Sequence, residues 1–375
     1  RIAWMIEERD VPPGRVLAVT FTNKAAGEMK ERVITLLEDR PGGIAGLWIG
    51  TFHSVCARIL RQIADRFDYP RSFTIYDADD SLQLLRQTMD AMGWSIGAVD
   101  AYGLRGRISD AKAQLQEPDE YAALNPGHVE EAVAEAYRRY QRTLRANKAF
   151  DFDDLLMRTV LVLQAEDDLR ASFQRKFRHV LVDEYQDTNY AQYQLVRTLT
   201  EEHRSITVVG DDDQSIYGWR GADIRNILSF EEDYPEATVI RLEQNYRSTA
   251  TILEAAHAVV EKNRERKPKK LWTARQGGEP IRVYGSADAD SEAGWLAREI
   301  QALQRSGMSA SDVAILYRTN AQSRSMEEGM RRRGIPYVIV GGTRFYERAE
   351  IKDAVAYLRI LANPEDDWSF SRVLG

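Results

Sequence analysis

Short runs of aliphatic and β-branched residues alternate along the 375-residue chain with longer segments whose apolar positions recur every three to four residues. The runs Val16–Phe21, Leu47–Gly50, Val180–Val182, Ile206–Val209 and Thr238–Leu242 predict strands, as do Ile281–Tyr284, Val313–Tyr317 and Pro336–Val340. Several are apolar without alternation, the pattern of parallel strands covered on both faces. Between them, stretches such as Thr249–Lys262 place Ile252, Leu253, Ala256, Val259 and Val260 on one helical face. Strand–helix alternation of this kind predicts an α/β fold. From about Tyr76 to Leu163 the strand signal disappears, leaving helical patterns such as Val129–Arg145, so an all-helical insertion is expected within the first α/β domain. A second α/β unit is expected from near Ile240, after the DYPEA turn, with strands to about Val340 and a helical tail from Arg348.

A chain of this length exceeds what one hydrophobic core usually organises, so two or three domains are expected. Hydrophobic residues at 43% and charged residues at 29% are ordinary for a soluble globular protein. No run approaches the roughly 20 apolar residues that span a bilayer. The opening RIAWMIEERD has no cleavage signature and no initiator Met and reads as mid-helix, which predicts a start inside a longer protein. A single cysteine, Cys56, excludes an internal disulfide framework and fits a reducing cytoplasm; its neighbours Val55 and Ile59 make it a packing residue. The net charge of −7 argues mildly against non-specific nucleic-acid binding, although a channel can occupy a small part of a surface. Local basic runs at Lys262–Lys270 (KNRERKPKK) and Arg331–Arg333 read as solvated helix ends or loops, with a DNA track as the alternative.

Two strands end abruptly in acids. In VLVDEYQDTN (Val180–Asn189), Asp183 and Glu184 stand at the carboxyl end of a parallel strand, where open α/β sheets bind ligands. The first carboxylate can hold Mg²⁺, and the second can orient or deprotonate a water. The bland alternative is a strand that ends in acids at a turn. In VVGDDDQSIYGWRGAD (Val208–Asp223), Gln214 can sense a γ-phosphate through its amide. Tyr217, Trp219 and Arg220 interleave aromatics with a base, which suits stacking of single-stranded nucleobases; a core role for Trp219 is the alternative.

These segments resemble motifs II and III of superfamily 1A DNA helicases, the UvrD/PcrA/Rep group. TFTNKAAGEM (Thr20–Met29) resembles motif Ia, GTFHSVCARILR (Gly50–Arg61) motif Ib, and LEQNYRST (Leu242–Thr249) motif IV. DFDDLL (Asp151–Leu156), LYRTNAQSR (Leu316–Arg324) and GGTRFYERAEIKD (Gly341–Asp353) follow in the same order. The resemblance implies two RecA-like parallel-sheet domains of P-loop NTPase type, both incomplete, with the helical insertion in the first. The expected boundaries are 1–72 and 149–238 for the first domain, 73–148 for the insertion, 239–347 for the second domain and 348–375 for the start of a helical accessory domain.

The resemblance further implies ATP and Mg²⁺ as ligands. Asp183 would be on the metal, Glu184 on the water and Gln214 on the γ-phosphate. Tyr246 would stack on adenine, and Arg247 would act as an arginine finger, with a surface ion pair as the alternative. For DNA it implies Phe21, Asn23, Thr51, Phe52, His53, Tyr217, Trp219 and Arg220 in the first domain, with Arg318 and Asn320 in the second. His53 could equally be a satisfied helix-start histidine. Asp151, Asp153 and Asp154 are expected to cap and charge a helix rather than bind metal.

The phosphate-cradling GxxxxGK(S/T) loop is not in the sequence, nor are motifs V and VI. The resemblance implies a cytoplasmic 3′→5′ DNA helicase of repair or replication restart, and these departures make the chain an expected fragment of one. By itself it is expected to lack ATPase activity, and its second domain to be poorly held. The implied partners are single-stranded DNA, ss/ds junctions and repair or replication proteins, with no membrane. A non-catalytic DNA-binding or interaction module and the helicase part of a helicase–nuclease are the competing readings.

Overall fold

The computed structural model describes residues 1–38, 43–94, 97, 99–340 and 349–374. The chain divides into two compact units, one of Arg1–Leu242, Val260–Lys269 and Asp353–Gly375, the other of Glu243–Val259 and Lys270–Lys352. The resemblance at Gly341–Asp353 lies mostly outside the described residues.

In the first unit, strands β1 (Val16–Thr20), β2 (Trp48–Thr51), β3 (Thr74–Tyr76), β4 (Ala149–Asp151), β5 (His179–Val182) and β6 (Ile206–Val208) follow in chain order. The main sheet is wholly parallel, in the order β2–β1–β5–β6. Every residue of β1 is buried, which is what its unbroken apolar run requires of a strand covered on both faces. The register sets Val19 beside Gly50 on one side and Val182 on the other, and Val182 beside Val208. From β1 the chain crosses to β2 on one side and reaches β5 only on the other. The carboxyl ends of β1 and β5 therefore flank the point where the strand order reverses, where open α/β sheets bind ligands. Cys56 lies in the main core, and burial pushes its thiol up to about 12, leaving it a packing group.

The helical insertion forms as expected, with helices Ala78–Ala91, Ala101–Ala113, Pro118–Leu124 and His128–Ala146 around their own core of Leu85, Leu104, Ile108, Val133, Tyr137 and Tyr140. One feature escaped the sequence: β3 and β4, three residues each, pair in parallel at its base. Asp151 caps the helix Phe152–Ala165 in a reciprocal box with Asp154, the role expected of these acids. Both also bind a fully buried ammonium, with Lys112 Nζ 2.6 Å from Asp151 and 3.0 Å from Asp154. Burial and the neighbouring Asp154 raise the Asp151 carboxyl above its ordinary value. The tail is helical, at Ala349–Ala362 and Asp367–Leu374, and docks on the insertion's base. There Asp366 accepts from Thr74 Oγ1 at 2.9 Å, and Arg359 reaches Asp80 at 2.9 Å.

The second unit departs from expectation. None of Ile281–Tyr284, Val313–Tyr317 and Pro336–Val340 forms a strand, nor does Thr238–Leu242 at the end of the first unit's main segment. The one ladder among the second unit's described residues pairs β7 (Gln244–Asn245) with β8 (Trp272–Thr273). An apolar run specifies burial, but a strand also needs a neighbour for its backbone groups. These runs lack one among the described residues, and Leu316 is 93% exposed. The unit's small core joins the helices Ala289–Arg305 and Ser323–Arg332 through Ala297, Ile300, Met330 and Ile335.

Candidate functional site

The chemistry starts at the carboxyl edge of the sheet. The Asp183 N–H donates to the Val19 carbonyl at 2.9 Å, continuing the β1–β5 ladder by one residue and presenting the side chain at the strand end. Burial, and then repulsion from Glu184, raise the Asp183 carboxyl above its ordinary value. A cation would relieve both penalties. Among the described residues Thr20 Oγ1 is buried without a hydrogen-bond partner, one residue beyond the Val19 carbonyl that anchors Asp183. Mg²⁺ takes one or two carboxylates and fills the rest of its shell with water and phosphate oxygens, so this residue set fits it.

Glu184 stands in the left-handed region, with φ 54° and ψ 44°, where a side chain is costly and glycine is usual. The turn projects its carboxylate sideways into a hydrogen bond from Gln186 Nε2 at 2.8 Å. The other end of the Gln186 amide, Oε1, accepts the Asp211 N–H at 3.0 Å, tying the β5 turn to the loop after β6. Gly210 permits that approach, because a Cβ there would lie 2.5 Å from Gln186 Oε1 and 3.1 Å from the Tyr185 nitrogen.

Asp211 caps a short turn, Asp212–Gln214, and accepts from Gln214 Nε2 at 2.8 Å; Gln214 is otherwise exposed. The basic run Lys262–Lys270 is a loop, as its sequence suggested, with Lys262, Arg264 and Lys270 exposed. Its residues up to Lys269 belong to the first unit, and Arg266 and Lys269 fold onto the aspartates. Arg266 clamps Asp213 with two bonds, at 3.0 and 2.7 Å. Lys269 Nζ binds Asp211, and lies 2.7 Å from Asp212 and 3.1 Å from Asp213.

Past this turn the loop becomes aromatic. Phe21, just after β1, stacks on Tyr217 with centroids 6.1 Å apart and planes at 18°. Tyr217 leans on Trp219 at 6.4 Å, and the Arg220 guanidinium covers the Trp219 ring at 4.6 Å. Trp219 is 70% exposed, which removes the core alternative. Asn23 is exposed at the start of the helix Asn23–Leu36. His53 meets the exposed ring of Phe152 edge-on at 5.9 Å, and burial lowers its pKa. Phe52 is 1% exposed and packs in the main core, and the Thr51 hydroxyl caps the helix Phe52–Gln62 through the Ser54 N–H at 3.2 Å. Those two side chains are occupied structurally.

In the second unit, Tyr246 is 72% exposed, and its hydroxyl donates to Gln244 at 2.7 Å. Asn245 Oδ1 accepts the Arg247 and Ser248 N–H groups at 2.9 and 2.8 Å, a side-chain-stabilised turn that leaves the Arg247 side chain exposed. Arg318 and Asn320 are exposed beside a turn held by Gln322, whose Oε1 accepts the Arg318 N–H at 3.0 Å.

Sequence reasoning missed Gln186, Lys269 and Phe152. Gln186 sits inside the DEYQD string, and a polar side chain between two acids was its signal. Phe152 was visible as an apolar residue in the first turn of an acid-capped helix.

These placements can be set beside known proteins. Residues 1–235 match the UvrD/REP helicase N-terminal domain, and residues 240–375 match the UvrD-like helicase C-terminal domain. The chain is 49% identical over 374 residues to the ATP-dependent DNA helicase PcrA of Staphylococcus aureus (strain NCTC 8325 / PS 47), covering 100% of this chain and 51% of that protein. It is 48% identical over 375 residues to PcrA of Bacillus subtilis (strain 168), covering 100% of this chain and 50% of the relative. The chain thus spans about half the length of the curated relatives it matches. An acid-ended parallel sheet, an aromatic loop and a match running the length of the chain converge on one conclusion: the chain belongs to the UvrD/REP helicase family.

Proposed function

We propose that the chain carries hydrolysis and DNA-gripping residues of an ATP-driven motor that moves 3′→5′ on single-stranded DNA and opens ss/ds junctions, in repair or replication restart. The observation that carries this reading is one hydrogen-bonded path from Glu184 through Gln186 and Asp211 to Gln214, on the loop that continues into Tyr217 and Trp219. Residues 1–72 and 149–238 would form the first RecA-like domain, 73–148 its insertion, 239–347 the second domain and 348–375 the start of the accessory domain.

In the hydrolysis step, Asp183 would hold Mg²⁺, whose charge would offset that developing on the phosphates. Glu184 orients the attacking water and accepts its proton. Gln186, by donating to Oε2, fixes the carboxylate and leaves Oε1 for the water. Gln214 has a second amide N–H for a γ-phosphate oxygen. Tyr246 stacks on adenine, and Arg247 stabilises charge developing on the transferred phosphoryl group. Phe21, Tyr217 and Trp219 offer stacking faces to bases, while Asn23, Arg220, Arg318 and Asn320 suit phosphates and sugars. His53, edge-on to the exposed Phe152 ring, would add a further DNA contact.

The 375 residues contain no GxxxxGK(S/T) loop, and this polypeptide by itself is expected to turn over ATP below about 1 s⁻¹. In the full-length protein, Glu184→Gln should abolish strand separation while leaving ATP-dependent DNA binding in place. Unwinding at the wild-type rate by that variant would refute the role of Glu184.

A further inference from the structure

We propose that Lys269 is a positioning residue for hydrolysis, bracing Asp211 so that the turn Asp211–Gln214 offers the Gln214 amide to the terminal phosphate; this rests on the ATPase reading above. Gln214 is an exposed side chain on a three-residue turn, and among the described residues one side-chain bond, to Asp211 Oδ2, defines its direction. That bond also decides which end of the amide is nitrogen and leaves one N–H free for an acceptor. It can do so only if the Asp211 carboxylate is itself immobile. The Asp213 N–H reaches its other oxygen at 3.0 Å, and Lys269 Nζ binds that same oxygen.

Electrostatics point the same way. Three successive carboxylates on one short turn repel each other and would splay it. Arg266 and Lys269 reduce three negative charges to one. Arg266 touches Asp213 alone, whereas Lys269 touches all three and is the cation on Asp211 among the described residues. The ammonium is largely covered, which strengthens its pull on the carboxylates. Gln186 meets Asp211 at its backbone N–H rather than at the carboxylate that Lys269 grips, so the link to Glu184 does not run through Lys269.

The test is DNA-stimulated ATPase of the full-length protein. Lys269→Gln should lower kcat about tenfold with the KM for ATP changed less than about twofold, and Lys269→Arg should recover most of the loss. The loss should vanish in a Gln214→Ala background, because Lys269 acts through Gln214. Arg266→Gln, which removes an ion pair from the same loop without touching Asp211, should keep kcat within about twofold and serves as the stability control. An equal kcat loss with and without Gln214, or an equal loss in Arg266→Gln, would reduce Lys269 to a structural ion pair and overturn the proposal. If Lys269→Gln does not fold, Asp211→Asn replaces it, since it keeps an acceptor for Gln214 while dropping the charge that Lys269 grips; unchanged kcat there would also overturn the proposal. Glu184→Gln separates the two layers. Retained turnover in it would defeat the ATPase reading, whereas lost turnover beside unchanged Lys269→Gln would defeat only the role of Lys269.

Discussion

Glu184 holds the proposed base in a backbone conformation that glycine would occupy more easily, and comparing Glu184→Gly with Glu184→Ala isolates that strain. Both variants remove the carboxylate, its bond from Gln186 and its repulsion of Asp183, so these effects cancel in the difference. What remains is the Cβ. At φ 54° and ψ 44° an L-residue costs about 1–2 kcal/mol. Glycine escapes this but gives up about 0.5–1 kcal/mol more backbone entropy on folding. The glycine variant should therefore be more stable than the alanine variant by about 0.5–1 kcal/mol, or roughly 1–2 °C in Tm for a unit of this size. Thermal and urea denaturation of both variants, followed by circular dichroism, reads this directly. Alanine matching or exceeding glycine would mean that the left-handed turn is not populated in solution, and the sideways aim of the carboxylate would lose its basis. Both variants should be inactive in hydrolysis, which separates the cost of the conformation from the use made of it.

Trp219→Ala should weaken single-stranded DNA binding by about 1–3 kcal/mol, while its exposed position keeps the stability change within about 0.5 kcal/mol; fluorescence anisotropy and denaturation check the two halves. Lys112→Met leaves Asp151 buried without its cation and Asp154 with only Arg158 at 3.8 Å, and should cost about 3–5 kcal/mol in chemical denaturation. His53 has a pKa lowered by burial, so the unfolded chain takes up the proton first as pH falls below the ordinary 6.5. Its contribution to stability is present above that pH and is lost on acidification toward the folded-state value. His179 and His203 are lowered too, so the test is a shallower slope of Tm against pH in His53→Gln than in the parent.

The first unit was legible at the centre of its sheet, where β1 is buried throughout and β5 buries Val180 and Val182. Val16 to Val19 and Val180 to Val182 announce themselves as uninterrupted apolar runs, and the acids that follow mark the sheet edge. The same signal failed at Ile281–Tyr284 and Val313–Tyr317, since apolarity carries no information about which backbone will supply the ladder. Strands β3 and β4 were too short to show a period. Lys112 reads as a surface residue in AKAQ, and its carboxylate partner Asp151 lies 39 positions away. Phe52 was assigned to DNA by resemblance, but Phe52, Val55, Cys56 and Ile59 share a helical face, and that spacing already indicated burial.

The loop after β6 places Gln214 and Tyr217 three positions apart, so at most about 10 Å of backbone separates the fuel sensor from the stacking platform of the proposed motor. Such a short lever has little compliance. A sub-ångström shift at the phosphate end would not be absorbed by slack before reaching the Phe21–Tyr217 stack, and a base pressed onto that stack would push back on the amide with equal directness. A motor geared this way has no clutch. Idle turnover without a track and slippage without turnover would then have one mechanical origin, and a single residue inserted between Ser215 and Tyr217 would introduce backlash into both.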